Sequence, residues 1–97
     1  MTATVIALVT LREDQQLALS EYLRVTEPLL KKAGGRVVKR FEINEVIVGH
    51  RPARSVVIVE YPDRAAVDSV FESPEYKGII PVRDIAFADY HVSIVET

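Results

Sequence analysis

Two side chains in this sequence have the chemistry of a general base. His91 lies within a run that alternates apolar and polar residues, and an ordinary pKa near 6.5 suits proton transfer if its face lines a cavity. Glu60 closes an apolar row with Val56 and Ile58, where a carboxylate either reaches solvent or is partly buried with a raised pKa. His91 and Glu60 are therefore the candidate catalytic residues. The alternatives are a histidine bonded to backbone at an interface and a structural ion pair.

Four further side chains are candidates for substrate binding. Arg83 carries a planar guanidinium that suits a carboxylate or phenolate-like oxygen, or else an ion pair with a neighbouring acid. Tyr76 and Tyr22 combine an apolar ring with a hydroxyl suited to the wall of a cleft. Ser73 precedes a proline, which is typical of a helix end, and no partner set marks it as a nucleophile. We predict that Arg83, Tyr76 and Glu60 converge on one site.

The composition excludes several kinds of site. The chain has 97 residues, no cysteine and two histidines, so we expect no Cys-ligated zinc, no iron–sulfur cluster, no metal site and no cofactor. The other histidine, His50, is predicted in an exposed turn. Gly34-Gly35 follows a helix instead of opening one, which does not match a nucleotide-binding loop. A net charge of −2 argues against nucleic acid as a partner.

The position of the candidates depends on the order of the predicted elements. Apolar, β-branched runs predict strands over residues 4–10 and 55–61. A strand with a bulge or a bend is predicted over 36–48, and a last alternating strand over 88–96. A helical period covers 15–33, and a second helix begins at Pro62-Asp63 and ends at Ser73-Pro74. The order predicts an α+β, ferredoxin-like βαββαβ protomer over residues 1–97, with a four-stranded antiparallel sheet and its helices on one face.

Some boundaries rest on single residues. Asp14 or Glu13 is expected to cap the first helix, and Pro28 is expected to kink or break it near Glu27. Asp63 is the expected cap of the second helix. Residues 74–77 are predicted to add a helical turn, and residues 79–86 to form a connector around Pro81.

The pattern also predicts a second copy of the chain as a partner. With both helices on one face, the other face of the sheet should be polar, yet the first and third strands are apolar on both faces. Apolar patches of this kind mark interfaces. Two such sheets packed face to face form a dimeric α/β barrel. Ile58, in the third strand, is predicted to be a fully enclosed core residue. No apolar run is long enough for a membrane helix and the first residues lack signal-peptide features, so we expect no membrane partner and a cytoplasmic location.

Four short blocks resemble one bacterial family in order and spacing, namely Gly34-Gly35-Arg36, Val59-Glu60-Tyr61-Pro62, Ser73-Pro74-Glu75-Tyr76 and Val82-Arg83. The chain resembles the domain of unknown function 1330 family, within the dimeric α/β-barrel superfamily. The resemblance implies a ferredoxin-like protomer, a homodimer, and a cleft between sheet and helices. It implies no established reaction, because related families include cofactor-independent monooxygenases, isomerases and dye-type haem enzymes.

The function expected from these observations is the binding of a small organic molecule, either neutral or anionic, in the cleft of a homodimer. The alternatives are a cofactor-independent monooxygenase or isomerase, with His91 or Glu60 as base and Arg83 orienting the substrate, and a non-catalytic dimerisation module. An enzyme needs a base, an orienting group and an enclosed void within hydrogen-bond reach, whereas a module needs only the apolar sheet.

Overall fold

Seven elements follow one another in the computed structural model, which describes residues 2–95. They are β1 (Ala3–Leu11), α1 (Gln16–Lys32), β2 (Arg36–Glu42), β3 (Ser55–Tyr61), α2 (Arg64–Phe71), α3 (Pro74–Ala86) and β4 (Phe87–Val95). The strands form one sheet in the order β2-β3-β1-β4, and all three pairings are antiparallel. The predicted ferredoxin-like βαββαβ fold is confirmed.

One face of the sheet carries the core because side chains alternate along each strand. Val5 of β1 and Val59 and Tyr61 of β3 are buried on this face. They belong to one apolar cluster with helix residues that include Val67 of α2 and Ile79 of α3. The helices therefore pack on one face of the sheet, as predicted.

The segment predicted as a connector around Pro81 is a helix, so that prediction was wrong. The Ser73 hydroxyl caps α3 by accepting a hydrogen bond from the backbone N–H of Tyr76 at 3.0 Å, and Pro74 occupies the first turn, where its missing N–H costs nothing. Pro81 removes only the hydrogen bond that would reach the carbonyl of Lys77. Both residues are exposed, so water can satisfy that carbonyl and the helix continues to Ala86.

The first helix also departs from prediction at both of its expected irregularities. It continues through Pro28 without a break to Lys32. The unpaired carbonyl belongs to Arg24, and both residues are exposed to solvent. Neither Asp14 nor Glu13 caps the start, since the N-cap position is Gln15 and its side chain makes no capping bond. Within residues 2–95, no helix combines the length and the apolar character needed to cross a bilayer.

Two glycines end α1 for different reasons. Gly34 has φ +79°, a left-handed conformation that suits a residue without Cβ at a helix end. Gly35 is needed for space, because a Cβ there would lie 2.5 Å from Leu30 Cδ1 and 2.8 Å from Tyr61 Cε2. The chain thus passes close to the core as it enters β2.

The second strand is shorter than predicted, because it ends at Glu42 and residues 43–54 form a loop. The expected bulge is present, since the register moves from Val37 opposite Val59 to Lys39 opposite Ile58. All seven residues of β2 are exposed. No helix therefore covers this edge of the sheet.

The face of the sheet away from the helices is apolar at its centre. Ile6 and Leu8 of β1 lie opposite Ile58 and Val56 of β3, and all four are half-buried. Phe41 of β2, opposite Val56, is 46% exposed. We call the five side chains the open face. Ile58 is not fully enclosed in the single chain, contrary to expectation, because nothing within residues 2–95 covers this face.

Candidate functional site

A cleft of about 990 Å³ lies between α1 and the helix-facing side of the sheet. Its walls are mainly apolar and include Ala7 of β1, Val57 of β3 and Leu19 of α1. The first helix packs against α3 more than against the sheet, which leaves this space beneath it. Because β2 is exposed along its whole length, the cleft is open on the β2 side.

Three tyrosine hydroxyl groups meet at the end of the cleft where α1, α3 and β4 come together. The oxygens of Tyr22 and Tyr76 are 3.1 Å apart, those of Tyr22 and Tyr90 are 2.5 Å apart, and those of Tyr76 and Tyr90 are 3.3 Å apart. All three residues line the cleft. We call this group the tyrosine cluster. It is a compact polar site at the end of an otherwise apolar space.

Each member of the cluster is positioned by its element. Tyr22 is the only fully buried residue of α1. Tyr76 lies in the first turn of α3, where the Ser73 cap holds its backbone N–H and the Ser73 hydroxyl in turn donates to the Val70 carbonyl at 2.7 Å. Tyr90 faces the helices from β4, and its ring packs edge-on against Tyr22 with centroids 5.9 Å apart. Ser73 therefore contributes to the site by positioning Tyr76.

The guanidinium of Arg83 lies behind the cluster. It is seven residues after Tyr76 on the same side of α3, and its Nη1 donates to the Tyr76 hydroxyl at 3.3 Å. Its Cζ is 5.1 Å from the ring centroid of Tyr90 and 5.9 Å from that of Tyr76. Asp84 balances its charge at 3.3 Å. The described lining of the cleft does not include Arg83. Its contact with the site is therefore the hydrogen bond to Tyr76.

Burial keeps the phenols of Tyr22 and Tyr90 protonated. Burial raises the pKa of Tyr22, with further increases from the nearby phenols of Tyr90 and Tyr76. Burial likewise raises the pKa of Tyr90. Burial lowers the pKa of Arg83, but its contacts with Tyr76 and Asp84 outweigh this and the net change is upward. The site consequently offers hydrogen-bond donors beside a cation, and its buried phenols are poor bases.

The two predicted bases lie outside this site. Glu60 falls between Val59 and Tyr61, which face the helices, so its side chain is on the opposite side of β3. There it accepts a hydrogen bond from Arg36 at 3.0 Å, so it is in a structural ion pair, but with Arg36 and not with Arg83, the partner considered from the sequence. His91 is exposed on the same outer side of the sheet, opposite Leu8. The structure thus brings Arg83 and Tyr76 together, as predicted, but not Glu60.

Tyr90 is the member of the cluster that the sequence analysis did not identify as a site residue. A signal was available, because the alternation of the last strand places Tyr90 with Val92 and Ile94 on one face. Tyr22, on the predicted helix over residues 15–33, was already a candidate for the wall of the cleft. Two buried tyrosines on facing elements suggest that their hydroxyls need a shared polar site.

The charged residues of the cleft are mainly cationic. Its described lining includes four basic side chains, from Arg24, Lys31, Arg36 and Arg40, against a single acidic one, Glu27. These residues lie on α1 and β2, towards the open side. The structure shows no candidate metal site in the part of the chain that it describes. Within residues 2–95, no three His, Asp or Glu side chains lie close enough together to hold a metal ion.

Comparison with known proteins identifies the family. The model of the domain of unknown function DUF1330 matches residues 2–97. The chain belongs to the DUF1330 family. The resemblance seen in the sequence motifs is therefore confirmed, and it extends over almost the whole DUF1330 chain. No curated protein sequence matches it significantly.

Solved structures share the fold of this DUF1330 protein at low sequence identity. A protein of unknown function from Rhodopseudomonas palustris is 24% identical, with a TM-score of 0.79 over 99% of this chain and 82% of that one. A putative antibiotic biosynthesis monooxygenase from Nitrosomonas europaea is 16% identical, with a TM-score of 0.64 over 99% and 89%. A dimeric protein of unknown function with a ferredoxin-like fold, from Bacteroides fragilis, is 14% identical, with a TM-score of 0.59 over 99% and 96%.

Proposed function

We propose that this DUF1330 protein is a homodimer that binds a small organic molecule in the cleft of each protomer. The observation that carries the proposal is the tyrosine cluster, in which three hydroxyls and the Arg83 guanidinium meet at the end of an apolar space. A ligand with an apolar body and a carbonyl or hydroxyl oxygen at one end matches the apolar walls of the cleft and the polar tyrosine cluster at its end. The apolar walls favour the body, and a tyrosine hydroxyl that turns away from its neighbour in the cluster donates to the oxygen.

Binding is favoured over catalysis by the position of the candidate bases. A general base must lie within hydrogen-bond reach of the proton it removes, directly or through one water. Glu60 is paired with Arg36 and does not line the cleft, and His91 lies on the outer side of the sheet. Burial raises the pKa of Tyr22 and of Tyr90, so at neutral pH these two phenols stay protonated and are poor bases.

The cleft is tested with one neutral fluorescent probe, N-phenyl-1-naphthylamine, and two matched variants. Ala7 lines the cleft and Ala65 is exposed on α2. Ala7→Trp fills the cleft and should abolish saturable binding of the probe, whereas Ala65→Trp adds the same indole outside it and should leave binding unchanged. Circular dichroism verifies that both variants fold. Absence of probe binding to the unmodified protein, or equal binding by both variants, would refute the cleft and leave a dimerisation module.

The polar end is tested with two ligands that share one body. Displacement of the probe by 2-acetylnaphthalene is compared with displacement by 2-ethylnaphthalene, which lacks the oxygen. A net contribution of about 1 kcal/mol from one hydrogen bond predicts a preference of about fivefold for the ketone. In Tyr22→Phe the preference should fall, while affinity for the hydrocarbon stays the same. Equal affinities for the two ligands in the unmodified protein would refute the role of the cluster.

The dimer is proposed from the open face. A half-buried apolar row on an uncovered sheet marks an interface, and a stable one buries about 1,200 Å² or more in total. The fold neighbour from Bacteroides fragilis is described as dimeric, which supports the same assembly here. Closure of two open faces would enclose Ile58 and place His91 at the barrel interface.

Sedimentation at micromolar concentration tests this assembly. The unmodified chain, of 10.9 kDa, should sediment as a dimer. Ile58→Asp places a charge in the centre of the open face and should give monomers. Leu17→Asp introduces the same charge at a residue that is 88% exposed on α1 and should stay dimeric. A monomeric unmodified chain would overturn the proposal, as would a dimer that Ile58→Asp does not weaken.

A further inference from the structure

The charge of the cleft is opposite to that of the chain. The sequence contains 14 acidic and 12 basic residues, yet the described lining of the cleft has four basic residues and one acidic residue. Such a cluster of like charge beside low-dielectric walls concentrates counter-ions. The cleft therefore differs from the rest of the surface in the sign of the molecule that it attracts.

Two of the four cations are already paired. Arg24 forms an ion pair with Glu21, one turn earlier in α1. Arg36 forms an ion pair with Glu60 across the β2–β3 pairing. Within residues 2–95, Lys31 and Arg40 have no ion-pair partner.

Lys31 and Arg40 approach the open side of the cleft from two different elements. Lys31 is in the last turn of α1, and Arg40 is in β2. Arg40 lies opposite Val57, which lines the cleft, so both face the helix side of the sheet. We call Lys31 and Arg40 the cationic pair.

The cationic pair and the tyrosine cluster lie apart in the cleft, because Arg40 is on β2 and Tyr90 on β4, the two opposite edge strands of the sheet. Tyr22 and Lys31 are nine residues apart on α1, which corresponds to about 14 Å along the helix axis. Arg83, predicted from the sequence to bind an anion, is not part of the lining and is balanced by Asp84. An anionic group on a ligand therefore has its strongest partners at the open side, away from Arg83.

We propose that the ligand of the cleft is an elongated amphipathic organic acid, whose anionic group is bound by Lys31 and Arg40 and whose far end reaches the tyrosine cluster. This inference rests on the proposed function, because it needs the cleft to be a binding site. It adds the chemical class of the ligand and its direction in the cleft. The anion lies towards solvent, where desolvation is small, and the uncharged oxygen lies at the buried end.

The test uses two probes with the same aromatic body and different charge. N-phenyl-1-naphthylamine is neutral, and 1-anilinonaphthalene-8-sulfonate carries a sulfonate. The test variant is the double substitution Lys31→Gln, Arg40→Gln. The matched control is Lys32→Gln, Lys39→Gln, which removes two charges from the neighbouring positions that do not line the cleft. Both double variants change the net charge of the chain equally.

We expect the test variant to weaken sulfonate binding about tenfold and to leave binding of the neutral probe unchanged, and we expect the control to change neither. The sulfonate affinity of the unmodified protein should fall with added salt, as it does for charges near a surface. Ala7→Trp should abolish binding of both probes, which shows that they occupy the cleft.

The two hypotheses fail in different ways. If neither probe binds at the site that Ala7→Trp fills, the proposed function is overturned. If both probes bind there, but the test variant affects the sulfonate no more than the control does, only the cationic pair is refuted. If a folded test variant binds neither probe, the role of the cationic pair in anion binding is likewise refuted. The pair would then maintain the shape of the cleft and would not distinguish an anionic ligand from a neutral one.

Discussion

Raising the pH should destabilise this protein through its buried tyrosines. Tyr61 is 3% exposed, and burial, followed by the nearby phenol of Tyr76, raises its pKa to about 12 from an ordinary value of 10.0. The folded state therefore holds this proton more tightly than the unfolded state does. The resulting stability is complete below pH 10 and is lost as the pH rises from 10 to about 12. The difference between a pKa of 10.0 and one of about 12 corresponds to about 3 kcal/mol of unfolding free energy for Tyr61.

The tyrosine cluster adds to this effect in the same direction. Burial also raises the pKa of Tyr22 and of Tyr90, so these phenols stay protonated in the folded state while their unfolded counterparts ionise. Each such group lowers the free energy of unfolding by about 1.4 kcal/mol per pH unit above pH 10. With Tyr61, Tyr22 and Tyr90 together, the free energy of unfolding should fall by about 4 kcal/mol per pH unit above pH 10.

The measurement is urea unfolding between neutral pH and about pH 11.5, together with tyrosinate absorbance of the folded protein. Tyr61→Phe serves as the internal control, because lysine deprotonation affects both proteins equally. Its alkaline slope should be shallower by one tyrosine's share, about 1.4 kcal/mol per pH unit. Superimposable slopes, or buried phenols that ionise near pH 10 without unfolding, would refute the burial argument.

Three further substitutions test local features by thermal or urea denaturation. Gly35→Ala should destabilise by about 1–3 kcal/mol, since its Cβ collides with core atoms. Gly78→Ala, in open space on α3, should stabilise by about 0.5–1 kcal/mol, and equal effects at the two glycines would contradict the packing described. Ser73→Ala should cost about 1 kcal/mol through the lost cap on Tyr76, and no loss would show that α3 needs no cap. Arg12→Met should cost up to about 1 kcal/mol, because Nη1 donates to two carbonyls at the end of α3, and unchanged stability would show those bonds to be unimportant.

The fold was largely predictable because its signals are local. Apolar β-branched runs predicted β1 and β3, and Asp63 was correctly identified as the cap of α2. The helix α3 was missed because Pro81 is a breaker in most helices, and only the structure shows that the lost bond faces solvent. Whether a proline interrupts a helix depends on which carbonyl it leaves unpaired, and that is a property of tertiary burial.

The site was predictable only in part because it depends on which side of a strand each residue faces. Alternation placed Glu60 with Val56 and Ile58, but the sequence alone did not say whether that row faces the helices and the cleft or the opposite side of the sheet. Arg83 and Tyr76 met because seven residues span two turns of a helix that the sequence analysis had interpreted as a connector. The prediction that they converge rested on the path of that connector, which has to return across the end of β3 to begin β4.

The bulge in β2 has a consequence for how this protein behaves at high concentration. In the order β2-β3-β1-β4, β2 is an edge strand whose outer N–H and C=O groups could template a foreign strand. Val38 is the extra residue between Val37 and Lys39, so the outer row of donors and acceptors is interrupted, and Lys39 and Arg40 add repulsion between identical edges. The irregularity therefore protects the chain against edge-to-edge aggregation. Deleting Val38 would restore a regular edge and make the protein prone to form fibrils.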